Sequence, residues 1–158
     1  MTVNWKSKAA AGALVLSALG VGMIQRFEGT KYTAYLDSVN VPTICTGSTR
    51  KVFLGQTATP AECEERLQQD TSYAGKAIAR CTAVKLTQEQ YDALVSFAFN
   101  VGGGAYCKST LARKLNAGDC YGAANEFQRW NRAGGRVLPG LIKRRAVEAA
   151  LFRKGCDV

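Results

Sequence analysis

The sequence predicts an α+β protein with a small β-bearing N-terminal lobe, a long connecting helix and a mostly helical C-terminal lobe. Between Gly29 and about Thr57, β-branched and aromatic residues lie among Gly, Pro, Asn, Ser and Thr, which is typical of a small twisted sheet with turns. The expected sheet residues are Tyr32, Tyr35, Val39, Val41, Ile44, Val52 and Phe53. Helix-start signals and apolar residues at helical spacing fill the chain beyond this segment.

Two segments predict the main helices. Residues 59–62, Thr-Pro-Ala-Glu, supply an N-cap, a first-turn proline and a capping-box glutamate, so a long helix should run to about Arg80. Residues 87–90 start another helix in the same way, and the glycines at 102–104 should end it. Shorter helices are expected over 109–116, from Asp119 and from near Pro139. The residues expected on the buried face of the last helix are Leu141, Ile142, Val147 and Leu151.

The charge balance favours anionic partners. Lys and Arg number 21 against 12 Asp and Glu, a formal charge of +9, which suits nucleic acid, anionic lipid or an acidic cell-wall polymer. Nucleic acid is not an expected partner, because clustered basic and aromatic motifs are missing. With no histidine in the chain, general acid–base work at neutral pH is left to carboxylates. We expect no metal, no other cofactor and a monomeric protein.

The six cysteines are Cys45, Cys63, Cys81, Cys107, Cys120 and Cys156. An even set without a C-x-x-C pair favours three disulfides and an oxidising compartment, and the alternative is six buried thiols in a reducing one. Six cysteines permit 15 full pairings, which the sequence does not distinguish. We favour Cys45–Cys63, because it would fasten the hairpin to the long helix. Cys81–Cys107 and Cys120–Cys156 then follow by elimination and by relative position.

Residues 1–24 form a segment distinct from 25–158. Lys6 and Lys8 precede an uncharged run at 9–24, which is shorter than the roughly 20 apolar residues of a comfortable membrane span. Positive residues before a short apolar run are typical of an export signal. Three interpretations compete: a cleaved signal peptide, an uncleaved anchor that can leave the bilayer, and an ordinary first helix of a soluble fold. Cleavage is disfavoured, because the helical pattern continues without a break into Phe27 and Glu28.

Two acidic residues lie next to the predicted hairpin. Glu28 is at the expected end of the first helix, Asp37 is in the turn after Tyr35, and Thr43 begins the next strand. Glycoside hydrolysis needs one protonated carboxyl and one carboxylate. Partial burial beside Phe27 would favour a protonated Glu28, while Asp37, in a polar turn that is more exposed to solvent, would stay ionised. Spacing alone favours a simpler interpretation, in which the aspartate caps its own turn.

Several motifs resemble the T-even phage lysozyme family. Phe27-Glu28-Gly29, Tyr35-Leu36-Asp37 and Pro42-Thr43-Ile44 match its Glu–Asp–Thr segment in order and spacing. The similarity continues through Leu86-Thr87-Gln88, Phe99-Asn100-Val101-Gly102, Ser109-Thr110-Leu111, Arg129-Trp130 and the segment 140–145. It covers nearly the whole chain from about residue 24 and is greatest for lambdoid phage endolysins, some of which begin with a releasable signal anchor.

The resemblance implies a lysozyme-like fold and hydrolysis of the β-1,4 bond between N-acetylmuramic acid and N-acetylglucosamine in peptidoglycan, which would lyse the host cell. Glu28 would be the acid, Asp37 the carboxylate that activates or holds water, and Thr43 its hydroxyl partner. The family inverts the anomeric centre. The enzyme would be exported to the host periplasm and first tethered to the inner membrane through residues 9–24. Because Thr46-Gly47-Ser48 stands where relatives commonly have Gly-His, an ion pair with Asp70 is in doubt.

Other polar residues are candidates for substrate binding. Asn100 and Gly102 could line the cleft floor, although a helix stop explains them equally well. Arg129, with the basic residues at 136 and 143–145, could contact acidic stem peptides of the wall, although a solvated charged face is the simpler interpretation. Trp130 is expected in the core rather than as a platform for a sugar.

Two other functions fit parts of the sequence. A lytic transglycosylase needs a single glutamate and forms an anhydro sugar without water, so Asp37 and Thr43 would be dispensable. A cationic protein that binds or disrupts the envelope would depend on charge and on the apolar N-terminus. Such a protein would keep its lytic effect after Glu28→Gln.

Overall fold

A computed structural model describes residues 14–158. The helices are α1 (Ala18–Glu28), α2 (Pro60–Cys81), α3 (Gln88–Val101), α4 (Gly103–Lys108), α5 (Thr110–Asn116), α6 (Cys120–Glu126) and α7 (Pro139–Cys156), with a 3-10 turn at Phe127–Arg129. The strands are β1 (Lys31–Leu36), β2 (Pro42–Cys45), β3 (Arg132–Ala133) and β4 (Arg136–Val137). β1 pairs with β2 and β3 with β4, both antiparallel. The α+β class and the long connecting helix are confirmed.

The hairpin β1–β2 forms the N-terminal lobe over a small core of its own. This core contains Ile44 and the Cys45–Cys63 disulfide, all of them buried. Val39, Val41, Val52 and Phe53, which we expected in the sheet, lie outside the strands; the first two belong to the turn between β1 and β2, and Phe53 is 65% exposed. The expectation was wrong for Val52 and Phe53 because turns on both sides leave this stretch too short to pair.

The caps of α2 and α3 form as the sequence predicts. Thr59 accepts from the backbone N–H of Glu62, whose carboxylate accepts from the Thr59 N–H in return, and Thr87 and Gln90 repeat this capping box. Gly102 ends α3 with φ +97°. Helix α4 starts at the next residue, whereas we had expected the three glycines to form a loop.

Helices α3 and α7 form the centre of the main core. The Phe97 ring of α3 meets Phe127 and Trp130 edge to face, with centroids 5.2 and 5.4 Å apart. The core role expected for Trp130 is therefore confirmed. In α7, Leu151 is buried as we predicted, but Ile142 and Val147 are 42% and 46% exposed, so the predicted buried face was wrong for these two residues.

The buried face of α7 includes charged residues. Its members are Arg144, Arg145, Glu148, Ala149, Leu151 and Phe152. The side chains at 144, 145, 148, 149 and 152 follow helical periodicity and share one face. We had assigned the two arginines to solvent, but Glu148, which is fully buried, supplies a carboxylate that pairs with both. Burial raises the pKa of Glu148, against the opposing effect of the two guanidinium groups.

Helix α1 begins inside the apolar run rather than before it. Ser17 caps it by accepting from the Gly20 N–H at 3.2 Å, and residues 14–17 are not helical. The continuous helical pattern expected here is wrong for 14–17, and residues 9–13 lie outside the described part of the chain. Ile24 of α1 is fully buried in the main core. Within residues 14–158, no helix has the length and apolar character needed to cross a membrane.

Three disulfides tie the elements together. Cys45–Cys63 joins β2 to α2, Cys81–Cys107 joins the end of α2 to α4, and Cys120–Cys156 joins the start of α6 to the end of α7. This is the pairing that we favoured from the sequence. Each bridge fixes two elements that pack against each other, which restricts the unfolded chain.

Candidate active site

Glu28 lies where α1 ends and the chain turns into β1. Gly29, with φ +65°, closes the helix by donating its N–H to the carbonyl of Gln25 at 2.8 Å. The Glu28 side chain is 19% exposed, so it is shielded from most of the solvent but can still be reached by a ligand.

A buried arginine holds one oxygen of this carboxyl group. Nη1 of Arg144 donates to Oε1 of Glu28, and Nη2 donates to the Ser96 carbonyl at 3.0 Å. The guanidinium carbon lies 4.9 Å from the centre of the Phe27 ring. Because Arg144 is only 4% exposed, a role for it in contacting stem peptides is wrong. We had named this residue for the wrong role and had missed its contact with Glu28, although the periodic positions on α7 could have revealed its burial.

A glycine leaves room for the other oxygen. Gly47 has φ +73°, and a Cβ built on it would lie 2.6 Å from Oε2 of Glu28 and 2.9 Å from its Cδ. Only glycine combines this backbone conformation with such a close approach. The carboxyl group is thus held between Arg144 at Oε1 and the Gly47 backbone at Oε2.

Asp37 lies in the turn between β1 and β2. Its Oδ1 accepts from the N–H groups of Val39 and Val41, both at 2.9 Å. The capping interaction considered for this residue therefore exists. This capping interaction uses only Oδ1 of Asp37. Within the part of the chain that the structure describes, no protein group donates a hydrogen bond to Oδ2.

Strand pairing places Thr43 opposite Tyr35. Thr43 is buried, and its hydroxyl donates to the Val41 carbonyl at 2.8 Å, so its oxygen remains free to accept. Burial raises the pKa of Tyr35, and the negative charges of Glu28 and Asp37 raise it further. Thr43 lies in β2, Asp37 lies in the turn that joins β1 to β2, and Glu28 ends the helix that precedes β1.

A groove of about 540 Å³ includes Gly47 in its lining, and within residues 14–158 that lining contains none of Glu28, Asp37 and Thr43. Gly47 lines it on the N-terminal side, and Gly102 with Gly103 lines it at the junction of α3 and α4. Of the other expected substrate-binding residues, Asn100 accepts from Arg145, and Arg129 pairs with Glu126 at 3.1 Å. Among the residues described, the groove lining includes Gly102 but neither Asn100 nor Arg129.

The hairpin β3–β4 meets the Asp37 turn from the other lobe. A Cβ built on Gly134 would lie 3.1 Å from Cγ1 of Val39, so the two turns are in contact. We did not predict this hairpin, although the Gly134-Gly135 pair is a recognised hairpin signal. This contact joins the β3–β4 hairpin to the turn that carries Asp37.

Arg50 provides the partner for Asp70. Its Nη2 and Nε lie 2.8 and 3.1 Å from Oδ1 of Asp70. The ion pair that the missing histidine had put in doubt is therefore present, with a guanidinium in place of an imidazole.

Comparisons with known proteins identify the family. Residues 25–148 match the family model described as phage lysozyme. The chain belongs to the phage lysozyme family. It is 38% identical over 161 residues to the SAR-endolysin of Escherichia phage Mu, covering 96% of this chain and 94% of that protein. It is 40% identical over 141 residues to the endolysin of Acyrthosiphon pisum secondary endosymbiont phage 1, covering 87% and 97%.

A solved structure agrees with this membership. The crystal structure of a P22 lysozyme mutant matches with a TM-score of 0.75 at 37% identity, covering 89% of this chain and 99% of that one. The expected lysozyme-like fold is confirmed. The chain is a lysozyme, and the expectation of a peptidoglycan-hydrolysing enzyme of the endolysin type is confirmed with it.

Proposed function

We propose that this lysozyme cleaves the β-1,4 bond between N-acetylmuramic acid and N-acetylglucosamine with Glu28 as the acid and Asp37 as the carboxylate that activates water. The proposal rests on the Glu28 carboxyl group, held between Arg144 and Gly47 beside the groove. All of these groups come from one chain, so we propose a monomeric enzyme.

The proton leaves Glu28 from Oε2. Oε1 is engaged by Arg144, whereas Oε2 faces the backbone of Gly47, which lines the groove. As the bond between the sugar C1 and the leaving oxygen breaks, that oxygen takes the proton and Glu28 becomes a carboxylate. The Arg144 guanidinium stabilises the negative charge that develops, in a site where burial strengthens the interaction.

Asp37 and Thr43 place the attacking water. Oδ2 of Asp37 accepts one proton of the water, and the Thr43 oxygen accepts a hydrogen bond from the other, because the Thr43 hydroxyl hydrogen already bonds the Val41 carbonyl. The water oxygen then bonds C1 from the face opposite the leaving group. In inverting glycosidases this geometry needs the two carboxyl groups about 6.5–9.5 Å apart, which admits a water.

Product analysis with three variants tests the proposal. Wild-type enzyme acting on purified murein should release reducing ends without anhydro sugar. Glu28→Gln and Asp37→Asn should each lower turnover by about 10²–10⁴-fold, the usual contribution of a general acid or base. Glu89→Gln, an exposed acid on α3, is the control and should keep full turnover. Anhydro products with an active Asp37→Asn would indicate a transglycosylase, and lysis by Glu28→Gln would indicate a non-enzymatic cationic protein.

We also propose that residues 9–24 first tether the enzyme to the inner membrane and that it acts in the host periplasm after release. A membrane-embedded run would hold Glu28, four residues after Ile24, within about 6 Å of the bilayer at about 1.5 Å rise per residue. Ile24 would then be missing from the core in which it is fully buried. The embedded and folded positions of this segment therefore exclude each other.

Asp92 of α3 holds the released segment. The Ser17 N–H donates to Oδ1 of Asp92 at 3.1 Å and the Ser17 hydroxyl donates to Oδ2, while Gln88 donates to the Val15 carbonyl at 2.9 Å. A Cβ on Gly20 would lie 3.0 Å from Cγ of Asp92. Ser17 and Gly20 interrupt the apolar run and weaken it as a membrane span, and the same residues make the contacts of the folded state.

A substitution at Gly22 tests the membrane tether separately from the contacts of the folded state. Nothing lies within 4 Å of a Cβ built there, so Gly22→Leu adds apolar surface without a collision, whereas Gly20→Leu would also disturb Asp92. We expect Gly22→Leu to shift protein into the membrane fraction while the released molecules keep their activity. Gly22→Ser is the control and should fractionate like wild type. An unchanged distribution of Gly22→Leu would count against the tether.

A further inference from the structure

The groove beside Glu28 carries more positive charge than the one carboxylate in its lining can balance. Three cations line it, Arg50, Lys76 and Arg80, together with one acid, Asp70. Arg50 pairs with Asp70 at 2.8 Å. Across residues 14–158, neither Lys76 nor Arg80 has a carboxylate within 4.0 Å, and residues 1–13 contain no acidic side chain.

Two of the three cations lie over one aromatic ring. The Arg50 guanidinium and the Lys76 ammonium lie 4.3 and 5.7 Å from the centre of the Tyr73 ring, within the range of cation–π attraction. Tyr73 is 58% exposed. Among residues 14–158, Arg80 donates only to the Cys107 sulfur at 3.7 Å, which is a weak and neutral acceptor. Of the three cations, Arg50 is paired with Asp70, whereas these contacts leave the charges of Lys76 and Arg80 without a carboxylate.

The location of the groove limits what can bind there. It begins at Gly47, which touches the Glu28 carboxyl group, and its floor includes small residues such as Ala74, Ala77 and Gly103. A ligand in it is therefore continuous with the glycan that reaches Glu28. The sugar rings of that glycan are uncharged when the muramic acid carries its peptide, so the anions available are the free carboxylates of the peptide stems. Cations in a concave site attract such anions more strongly than cations on a convex surface.

We propose that Arg50, Lys76 and Arg80 form a binding site for the carboxylates of the peptide stems. The proposal rests on the murein-hydrolysing function proposed above and moves stem recognition from the basic residues of α7 to α2 and the segment that follows β2. Exposed ion pairs are individually weak and sensitive to salt. The site therefore acts on substrate binding, and it makes murein with free carboxylates a better substrate than murein in which they are blocked as amides.

The test compares two forms of purified murein, one with free carboxylates and one in which they have been converted to methylamides with a carbodiimide. The variant is Lys76→Gln/Arg80→Gln, which removes the two cations without a carboxylate partner and leaves the Arg50–Asp70 pair intact. On free murein at low salt, we expect KM to rise about three- to tenfold with kcat unchanged. On methylamidated murein, wild type and variant should have the same KM.

The control removes the same charge elsewhere. Lys85→Gln/Lys154→Gln changes two exposed residues outside the groove lining and should behave as wild type on both substrates. An equal rise in KM for the control would assign the effect to net charge and overturn the proposal. An equal rise on both substrates for Lys76→Gln/Arg80→Gln would overturn it too, because the cations would then contact the sugars. A wild type that cleaves neither substrate would refute the lysozyme function itself.

Discussion

The substitution Gly47→Ala tests how closely the acid must be positioned. An alanine Cβ would lie 2.6 Å from Oε2 of Glu28, whereas ordinary contacts begin at 3.4 Å, so the carboxyl group must move by about 0.8 Å. A misplacement of about 1 Å in a catalytic group can lower the rate about 100-fold. Alanine at φ +73° also costs about 1–2 kcal/mol of backbone energy. We therefore expect kcat to fall about 100-fold and the free energy of unfolding to fall by about 1–2 kcal/mol.

The substitution Gly118→Ala separates the backbone cost of alanine at positive φ from its collision with Glu28. Gly118 has φ +81°, and nothing lies within 4 Å of its built Cβ, so alanine there has the backbone cost without the collision. It should lose similar stability in urea denaturation but keep full activity, measured as the initial rate of reducing-end release from purified murein. Our reasoning fails if Gly47→Ala keeps more than about a third of the wild-type kcat, or if Gly118→Ala loses as much activity.

Three further substitutions test the packing around the site. Arg144→Gln breaks a buried ion pair and should lower both the activity and the unfolding free energy, the latter by about 3–5 kcal/mol. Lys143→Gln, at the exposed neighbouring position, is the control and should change neither. Equal urea midpoints for the two variants would refute the structural role of Arg144. Ile24→Ala should lower the free energy of unfolding by about 2–5 kcal/mol. Leu19 is 64% exposed on the same helix, so Leu19→Ala should lower it by well under 1 kcal/mol. A similar loss for both variants would mean that α1 does not pack against the core. Thr43→Val should lower kcat more than it raises KM if the hydroxyl places water, and an unchanged kcat would exclude that role.

Local signals made much of the fold predictable. The capping boxes of α2 and α3 lie within four consecutive residues each, so the sequence displays them directly. The sequence left 15 disulfide pairings open, and the one that we favoured is the one that the structure has. Helix α4 was missed because three successive glycines usually indicate a loop, and β3–β4 because each strand has only two residues.

The site was predictable only in part, because its energetics depend on contacts between distant positions. Motif order indicated the trio of Glu28, Asp37 and Thr43. Arg144 contacts Glu28 across 116 positions of sequence, and a basic residue ordinarily faces solvent, so only its helical spacing with other buried positions of α7 indicated its burial. The close approach of Gly47 to Glu28 likewise depends on how β2 meets α1. Such contacts set the orientation of the acid, and they became visible only in three dimensions.

The central claim is that a water activated by Asp37 attacks while Glu28 protonates the leaving oxygen on the opposite face. Proton NMR of freshly released muramic acid ends, recorded before mutarotation, measures this most directly. The account predicts the α-anomer as the first product, because attack opposite the leaving group inverts a β bond. A β-anomer as the first product would contradict it, since retention would require a covalent or neighbouring-group intermediate that water opens in a second step.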